Sequence, residues 1–290
     1  MELAEFEYGL DQLASHGVGI VLNVHEKACL KVALVKLQQQ QNLRQLYFWG
    51  KILTAGNDYY IAAALQEGLA AFPTKKFYWS GPSFDFAELP GVDGEVSKLI
   101  DSAEARGPFF GTPDRLLGKK PGDEEEEVAA EGGGEGEEGA PPPPMKVREV
   151  HRLSHVVRQI DNATAVVPKG SHAVLDSHKI IGNFAFKGLS FKDAMELESW
   201  VHFRPPHDVA KLRALSRDDV QFHSDFLEGV EDDLPIGSWT LRADPSCETV
   251  TIRSLLWPGY VAYHKPCTRF FGGCYFGTGE QLVDLPFLLC

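Results

Sequence analysis

The sequence has little of what membrane insertion, secretion or nucleic-acid binding requires. No run approaches the roughly 18 apolar residues of a membrane helix. The start, Met1-Glu2-Leu3-Ala4-Glu5, has neither the basic nor the apolar part of a secretion signal. The formal net charge is −13, so we expect no basic surface for nucleic acid or anionic lipid. These absences predict a soluble, intracellular chain that binds neither nucleic acid nor membrane.

Cysteines and catalytic motifs are also scarce. The chain has only five cysteines in 290 residues, an odd and scattered set that is typical of reduced thiols rather than a disulfide framework. There is no Walker sequence and no Gly-x-Ser-x-Gly nucleophile elbow. Gly277-Thr278-Gly279 lacks the third glycine of a dinucleotide-binding loop and is followed by no helical pattern, so it predicts a turn.

Two groups of side chains have some of the residue types of a zinc site. His151 and His155 are four residues apart and would share a helix face, but no third ligand is evident. His264, Cys267 and Cys274 could supply one nitrogen and two sulfurs, but the usual short cysteine pairs are missing. The sequence therefore predicts no catalytic, cofactor-binding or metal-ligating residue and no cofactor.

A segment rich in acids, glycine and proline divides the chain. Residues 123–138 contain nine acids and no base, and removing these acids from the net charge leaves −4. Residues 121–144 contain almost nothing apolar, so they cannot bury enough surface to offset the entropy of ordering. We predict a disordered loop that acts as a spacer, with an acidic tether for a basic partner as the alternative.

A β-hairpin is predicted at 46–64. Residues 46–53 are aromatic and branched, Gly56-Asn57-Asp58 favours a turn, and 59–64 forms the second strand. Gly50, in the middle of the first strand, indicates a bulge or a close backbone approach. Strict alternation would place Phe48, Gly50 and Ile52 on one face and Trp49 on the other, so both faces are mostly apolar. Either both are covered by the chain itself, or a partner covers one.

Two helices are predicted before the hairpin. Residues 2–15 have apolar side chains at helical spacing, and Asn23 with Glu26 forms a capping-box pattern that begins the second helix. A strand at 75–80 and a helix at 94–105 follow.

The sequence after the acidic segment predicts a mixture of helices and strands. Residues 153–160 fit either a strand or a helix, 164–167 fit a strand, and 173–186 fit extended chain. Ser190 should cap a helix whose buried stripe runs through Ala194 and Leu197 to Val201. Helices are also predicted at 209–215 and 220–227. The last four strands are predicted at 238–243, 249–255, 259–264 and 274–276, with Gly272-Gly273 in the final connection.

The elements are segregated rather than alternating, which predicts an α+β fold with N-terminal helices, a hairpin and an antiparallel C-terminal half. The predicted divisions are 1–120, the linker or inserted loop 121–145, and 146–290. Residues 146–290 either form a separate domain or pack with 1–120 as one.

Several sequence blocks resemble the radial spoke head protein 9 family, in order from about position 44 to the C-terminus. The blocks are Tyr47-Phe48-Trp49-Gly50-Lys51-Ile52-Leu53, Asp58-Tyr59-Tyr60-Ile61-Ala62, Gln159-Ile160-Asp161-Asn162-Ala163-Thr164-Ala165-Val166-Val167-Pro168-Lys169-Gly170, Phe186-Lys187-Gly188-Leu189-Ser190, His202-Phe203-Arg204-Pro205, Leu234-Pro235-Ile236-Gly237-Ser238-Trp239, Ser254-Leu255-Leu256-Trp257-Pro258-Gly259, Gly277-Thr278-Gly279-Glu280 and Asp284-Leu285-Pro286-Phe287. None of these blocks is a chemical motif.

The resemblance implies a non-enzymatic structural subunit of the radial spoke head in the axoneme of motile cilia and flagella, within the cytoplasm and cytoskeleton. It implies a part in passing signals between the central pair and the dyneins. The implied partners are paralogous spoke head proteins, with central pair projections as a further class. Two alternatives stay open: an intracellular enzyme using His202, Arg204 or the 267–274 region, and an acidic adaptor that binds through its loop.

Overall fold

The computed structural model of the protein describes residues 1–15, 21–68, 70–101, 107–117, 147–215 and 226–289. Its centre is an eight-stranded sheet with the strand order β4-β3-β2-β1-β12-β11-β10-β9. These strands are β1 Gln45–Ile52, β2 Tyr59–Gln66, β3 Thr74–Ser80, β4 Ala87–Glu88, β9 Trp239–Ala243, β10 Val250–Ser254, β11 Tyr260–His264 and β12 Phe271–Gly277. The α+β class and the hairpin are confirmed.

The sheet is mixed rather than wholly antiparallel. Strand β1 pairs with β12 in parallel, with Gly50 opposite Tyr275 and Ile52 opposite Gly277, whereas the other neighbours in the sheet are antiparallel. The antiparallel pairing predicted for the C-terminal half is present in β9 to β12, whereas the parallel contact was not predicted, because it joins strands that are distant in the sequence. Through this pair, strands from before and after residues 118–146 form one continuous sheet.

Helices α1 (Phe6–Ser15) and α2 (Val24–Gln40) cover one face of the sheet. Asn23 begins α2 as predicted: its side chain accepts from Glu26 N at 2.8 Å, and Glu26 Oε2 accepts from Asn23 N at 2.8 Å. The apolar side of α2 is buried through Leu30, Leu34 and Leu37. These residues pack with strand residues such as Phe48 in one hydrophobic cluster.

Helix α4 (Glu149–Thr164) covers the opposite face. It settles the ambiguity at 153–160 in favour of a helix and extends through Thr164, so the strand predicted from that position begins later. Leu153, Val157 and Ile160 are fully buried at helical spacing. They pack with Trp49 from the hairpin and with Trp200, so the chain itself covers both faces of β1.

The bulge predicted at Gly50 is present and changes which residues share a face. The β1–β2 register shifts between Phe48 and Gly50, because Trp49 is an extra residue in the ladder. As a result Ile52 packs in the cluster of Trp49 rather than in that of Phe48, and Lys51 faces α2. The prediction of unbroken alternation along 47–53 was therefore wrong.

The helix predicted from Ser190 to Val201 is much shorter than expected. Ser190 caps it as predicted, accepting from Asp193 N at 3.1 Å, but α5 spans only Phe191–Ala194. A 3-10 turn follows, and Val201 lies in strand β8 (Trp200–His202), which pairs with β5 (Val166–Pro168). Pairing with β5 thus overrides the local helical pattern.

The remaining elements mostly follow the predicted pattern. They are α3 (Gly94–Ile100), the hairpin of β6 (His172–Val174) and β7 (Ile180–Gly182), α6 (Val209–Leu215) and α7 (Leu285–Leu288). Gly272 and Gly273 lie inside β12, not in a connection, which corrects that prediction. The acidic segment 121–145, the end of the helix predicted at 94–105 and most of that predicted at 220–227 lie outside the described residues.

Candidate functional site

Glu149, the first residue of α4, is a fully buried carboxylate. Its Oε1 accepts from the Tyr59 hydroxyl at 2.8 Å, from Gly111 N at 2.8 Å and from Thr112 N at 3.2 Å. Its Oε2 accepts from Phe110 N at 3.2 Å. Backbone amides that surround a carboxylate stabilise its negative charge. Because its oxygens are engaged within the protein, Glu149 holds the 110–112 loop and β2 against α4 and is not placed to act on a substrate.

Lys51 forms a second buried polar cluster, on the opposite face of the sheet. Its Nζ lies 2.8 Å from both Glu26 Oε1 and Asp58 Oδ2, and the Tyr60 hydroxyl donates to Glu26 Oε1 at 2.7 Å. Burial alone disfavours the charge of Lys51, but the bonds to Asp58 and Glu26 outweigh it and raise its pKa. A lysine held in the charged form is not a nucleophile. The cluster therefore ties α2 to the hairpin.

Asp161 of α4 lies beside a cavity of about 230 Å³, whose walls include Trp49, Phe203 and Phe271. Asp161 accepts from Trp49 Nε1 at 3.2 Å and from Lys75 Nζ at 2.6 Å. The ion pair between Lys75 and Asp161 compensates the charges of these two residues at the wall of the cavity.

Two reactive residue types also line this cavity, and both are held in their neutral forms. His172 stacks on Phe203, and burial together with the charge of Lys75 lowers the pKa of His172 to about 4. Burial raises the pKa of the Cys274 thiol to about 12, which makes it a poor nucleophile. A wider groove of about 820 Å³ adjoins the cavity and shares Tyr47 with it.

His202 and Arg204, the residues of the enzyme alternative, form structural contacts. His202 Nε2 lies 2.8 Å from Asp233 Oδ2, which also accepts from Trp239 Nε1 at 2.7 Å. Arg204 pairs with Glu228 at 2.7 Å. His202 Nδ1 is buried and lacks a hydrogen-bond partner within the described part of the chain.

The structure does not bring the 267–274 region to His202. Cys274 belongs to the cluster under α1 and α2, whereas Trp239, which the His202 ring contacts, belongs to the cluster under α4. Cys267 is exposed. Cys274 lines the cavity beside Asp161 together with Phe203, but His202 is not among the residues that line it, so the structure does not bring His202 and Cys274 to one site.

The histidines of the two candidate zinc sets form hydrogen bonds with other groups of the protein. His155 contacts Asp101 at 3.1 Å and Ser97 at 3.4 Å, while His151 Nδ1 accepts from Arg148 N at 3.2 Å. Both ring nitrogens of His264 are engaged, Nε2 with Leu189 N at 3.0 Å and Nδ1 with the Phe270 carbonyl at 3.0 Å. Burial lowers the pKa of His264.

Among the described residues, no group of three or more His, Cys, Asp or Glu side chains is placed to hold a metal ion. Nor is any described helix both long enough and apolar enough to cross a bilayer. The expectation that the protein needs no cofactor stays a prediction. At 277–279 the chain bends, and Gly279 N donates to the Tyr275 hydroxyl at 2.9 Å rather than opening a helix.

Sequence reasoning missed the polar clusters at Glu149 and Asp161. An acid in the first turn of α4 was the one local indication for Glu149, but 153–160 was not assigned to a helix. Its amide donors lie in a loop about 38 positions earlier, so sequence spacing could not reveal them.

Several large apolar side chains are exposed on the protein surface. Leu234 is 79% exposed, Ile236 77% and Phe287 80%. Gly237 lies near Leu289, Leu255 N donates to the Ser238 carbonyl and Leu282 N donates to the Leu256 carbonyl, so these residues lie at one end of the sheet. Exposed apolar patches of this kind are typical of protein–protein contacts.

Comparison with known proteins gives a consistent result. A family model described as "Radial spokehead-like protein" matches residues 10–76, which include α2 and the hairpin. The chain is 34% identical over 278 residues to the Radial spoke head protein 9 homolog of Homo sapiens, covering 96% of each chain. The homolog of Bos taurus gives the same identity and coverage. The homolog of Danio rerio is 31% identical over 296 residues, covering 100% of each chain.

Proposed function

The chain belongs to the radial spoke head protein 9 family, and on that premise we propose that it is a non-enzymatic structural subunit of the radial spoke head. The observation that supports this most is the 34% identity over 96% of the chain to a protein of that name. A relationship over the whole length extends to the core and the surfaces alike, whereas a shared motif would support only a shared site.

The use of the buried polar groups supports a structural role. Glu149, Lys51 and Asp161 each join separate elements of the fold, and their hydrogen-bonding partners lie within the protein. An active site instead needs titratable groups that converge in a reactive state on a space open to substrate, whereas burial keeps His172 and Cys274 at the cavity in their neutral forms. The exposed apolar residues at one end of the sheet suit assembly with another protein.

The finer proposal is that the subunit acts in the axoneme of motile cilia and flagella. There it assembles with other spoke head proteins and supports signalling between the central pair and the dyneins. Central pair projections are a further class of partner. The described residues offer no observation that favours the acidic adaptor, whose loop lies outside them.

The proposal is tested in cells that build motile cilia and lack this chain. We expect a tagged copy to remain with detergent-extracted axonemes, to purify with other spoke head proteins and to restore beating. A Cys267→Ala copy is the matched control, because Cys267 is exposed and matters only to the enzyme alternative. A functional copy found only in the soluble fraction, without spoke proteins, would contradict the proposal.

A further inference from the structure

Strand β9 (Trp239–Ala243) is the last strand of the eight-stranded sheet. At the opposite end, β4 spans only two residues, which leaves little edge to pair with. β9 is longer, and no strand of the described chain pairs with its outer side. An unpaired edge of this length is a template for a further strand.

The hydrogen-bond pattern shows which groups of β9 face outward. Asp244 N donates to the Thr249 carbonyl, and Leu255 N donates to the Ser238 carbonyl. In an antiparallel pair, residues alternate between bonding the neighbour and facing away from it. Thr240 and Arg242 therefore bond β10, and the main-chain groups of Trp239, Leu241 and Ala243 point to the open edge.

An apolar patch adjoins the N-terminal end of this edge. It consists of Leu234, Ile236, Val283, Phe287 and Leu288, which are all at least 66% exposed. Leu234 and Ile236 shortly precede β9, and Gly237 lies near Leu289, the residue that follows α7. The patch and the open edge are thus continuous.

Acidic residues lie close in the sequence to both segments of the patch. Glu231 and Asp232 are exposed just before Leu234, and Asp284 is exposed beside Val283. The described residues place no base within ion-pair distance of these three carboxylates. A partner that brings lysine or arginine to this position gains electrostatic complementarity, which mainly raises specificity and the rate of association.

We propose that β9 is extended by a strand from another spoke head subunit, whose apolar residues cover the patch and whose basic residues face Glu231, Asp232 and Asp284. This inference rests on the proposed function, because it takes the partner from the spoke head. Main-chain hydrogen bonds to Leu241 and Ala243 fix the register of the added strand. The apolar patch and the three acids favour a partner sequence with apolar and basic residues at the matching positions.

The first test is amide hydrogen exchange, measured on the purified protein and on isolated spoke heads that contain it. We expect the amides of Leu241 and Ala243 to exchange at least tenfold more slowly in the assembled spoke head. Unchanged exchange in spoke heads that contain the chain overturns the inference and leaves the proposed function standing. Absence of the chain from spoke heads instead overturns both.

The second test uses variants, scored by recovery with spoke heads after addition to axonemes from cells lacking the chain. Ala243→Pro removes an outward N–H, and Glu231→Lys with Asp232→Lys reverses the acidic charge; we expect each to reduce recovery at least tenfold. Thr240→Ala is the control for a substitution on β9, because it leaves every outward main-chain group of the edge in place. Glu88→Lys is the control for charge reversal, because it reverses one acidic charge at the opposite edge of the sheet.

Normal recovery of Ala243→Pro, in a protein that melts like wild type, overturns the inference. If Ala243→Pro lowers the melting temperature, the charge variants and hydrogen exchange decide the result. Dimerisation of the purified chain that Ala243→Pro abolishes also overturns it, because the occupant would then be a second copy. Loss of recovery that is limited to Ala243→Pro and to the Glu231→Lys, Asp232→Lys variant supports the inference.

Discussion

The Tyr59 hydroxyl donates to the Glu149 carboxylate at 2.8 Å, although the two residues are 90 positions apart in the sequence. Tyr59 begins the second strand of the hairpin, and Glu149 begins helix α4 beyond the acidic segment. This buried bond therefore holds the two halves of the chain together. Burial, followed by the bond to Glu149, raises the pKa of Tyr59, so its hydroxyl stays a donor over the whole physiological range.

Glu149→Gln should destabilise the protein by about 2–3 kcal/mol, the cost of leaving a buried donor or a charged hydrogen bond unsatisfied. The glutamine –NH₂ group would face N–H donors that now bond a carboxylate. Chemical denaturation measures the effect. Glu95→Gln is the control, since Glu95 is exposed in the first turn of α3 and should change stability by less than about 0.5 kcal/mol. Equal effects at both positions would contradict the assigned role.

Gly50→Ala should destabilise the protein by about 3 kcal/mol or more, through a backbone clash and an unfavourable φ. A Cβ at Gly50 would lie 2.2 Å from the Tyr275 carbonyl oxygen, and its φ is +155°. Gly81→Ala is the control, because a Cβ there meets nothing within 4 Å. Thermal melting compares the two, and a Gly50→Ala protein as stable as wild type would rule out this β1–β12 contact.

Trp49→Ala should cost about 3–5 kcal/mol, as expected for deleting a buried aromatic ring. Trp49 is 9% exposed and packs against Phe77 and Tyr275 within the chain's own core. Trp49→Phe should cost less, because it keeps most ring contacts and loses mainly the bond to Asp161. Thermal melting together with co-purification with a spoke head subunit separates folding from assembly. A Trp49→Ala protein that melts and assembles like wild type would show that the hairpin does not organise the core.

Stability should fall as the pH is lowered from about 6.5 towards 4. Burial and Lys75 lower the pKa of His172 to about 4, while an unfolded histidine titrates near 6.5. Between these values the unfolded chain binds more protons than the native protein, so unfolding becomes easier, by at most about 3 kcal/mol from this group. His264, whose pKa burial also lowers, acts in the same direction.

His172→Gln should reduce this pH dependence, measured by denaturant unfolding across the pH series. His25→Gln, at an exposed position, should leave the dependence as it is. A His172→Gln protein that loses stability with acid as steeply as wild type would argue against a neutral His172 in the fold.

Replacing residues 121–144 by a Gly/Ser linker of equal length should change the free energy of unfolding by less than about 0.5 kcal/mol. The prediction follows from composition, since Val128 is the only large apolar residue from 118 to 144. Protease should cut the native chain there first. Because both halves contribute to one sheet, we expect a single unfolding transition. A loss above about 2 kcal/mol would show that the segment is not a spacer.

The parts of the fold that depend on neighbouring residues could be predicted from the sequence. Asn23 and Glu26 identify the start of α2, because the capping box closes within one helical turn. Gly50 indicates a bulge, because a glycine in an apolar strand implies a position that a side chain would obstruct. Local chemistry was sufficient in both cases.

Features that depend on distant residues could not be predicted. The parallel contact between Gly50 and Tyr275 is set by packing over the whole sheet. The pattern from Ser190 to Val201 is helical by itself, yet pairing with β5 converts Trp200–His202 into a strand. The open edge of β9 is equally hidden, because the sequence identifies strands and not the order in which they lie.

The parallel pairing of β1 with β12 has a consequence for the nascent polypeptide. Strand β1 ends at Ile52, but its partner is complete only at Gly277, which at 5–20 residues per second means a delay of about 10–45 s on the ribosome. During that interval the apolar hairpin has an unpaired flank that can aggregate or recruit a chaperone. A premature stop before Phe271 would therefore leave this flank of β1 permanently unpaired, and the truncated product should be degraded rather than partly active.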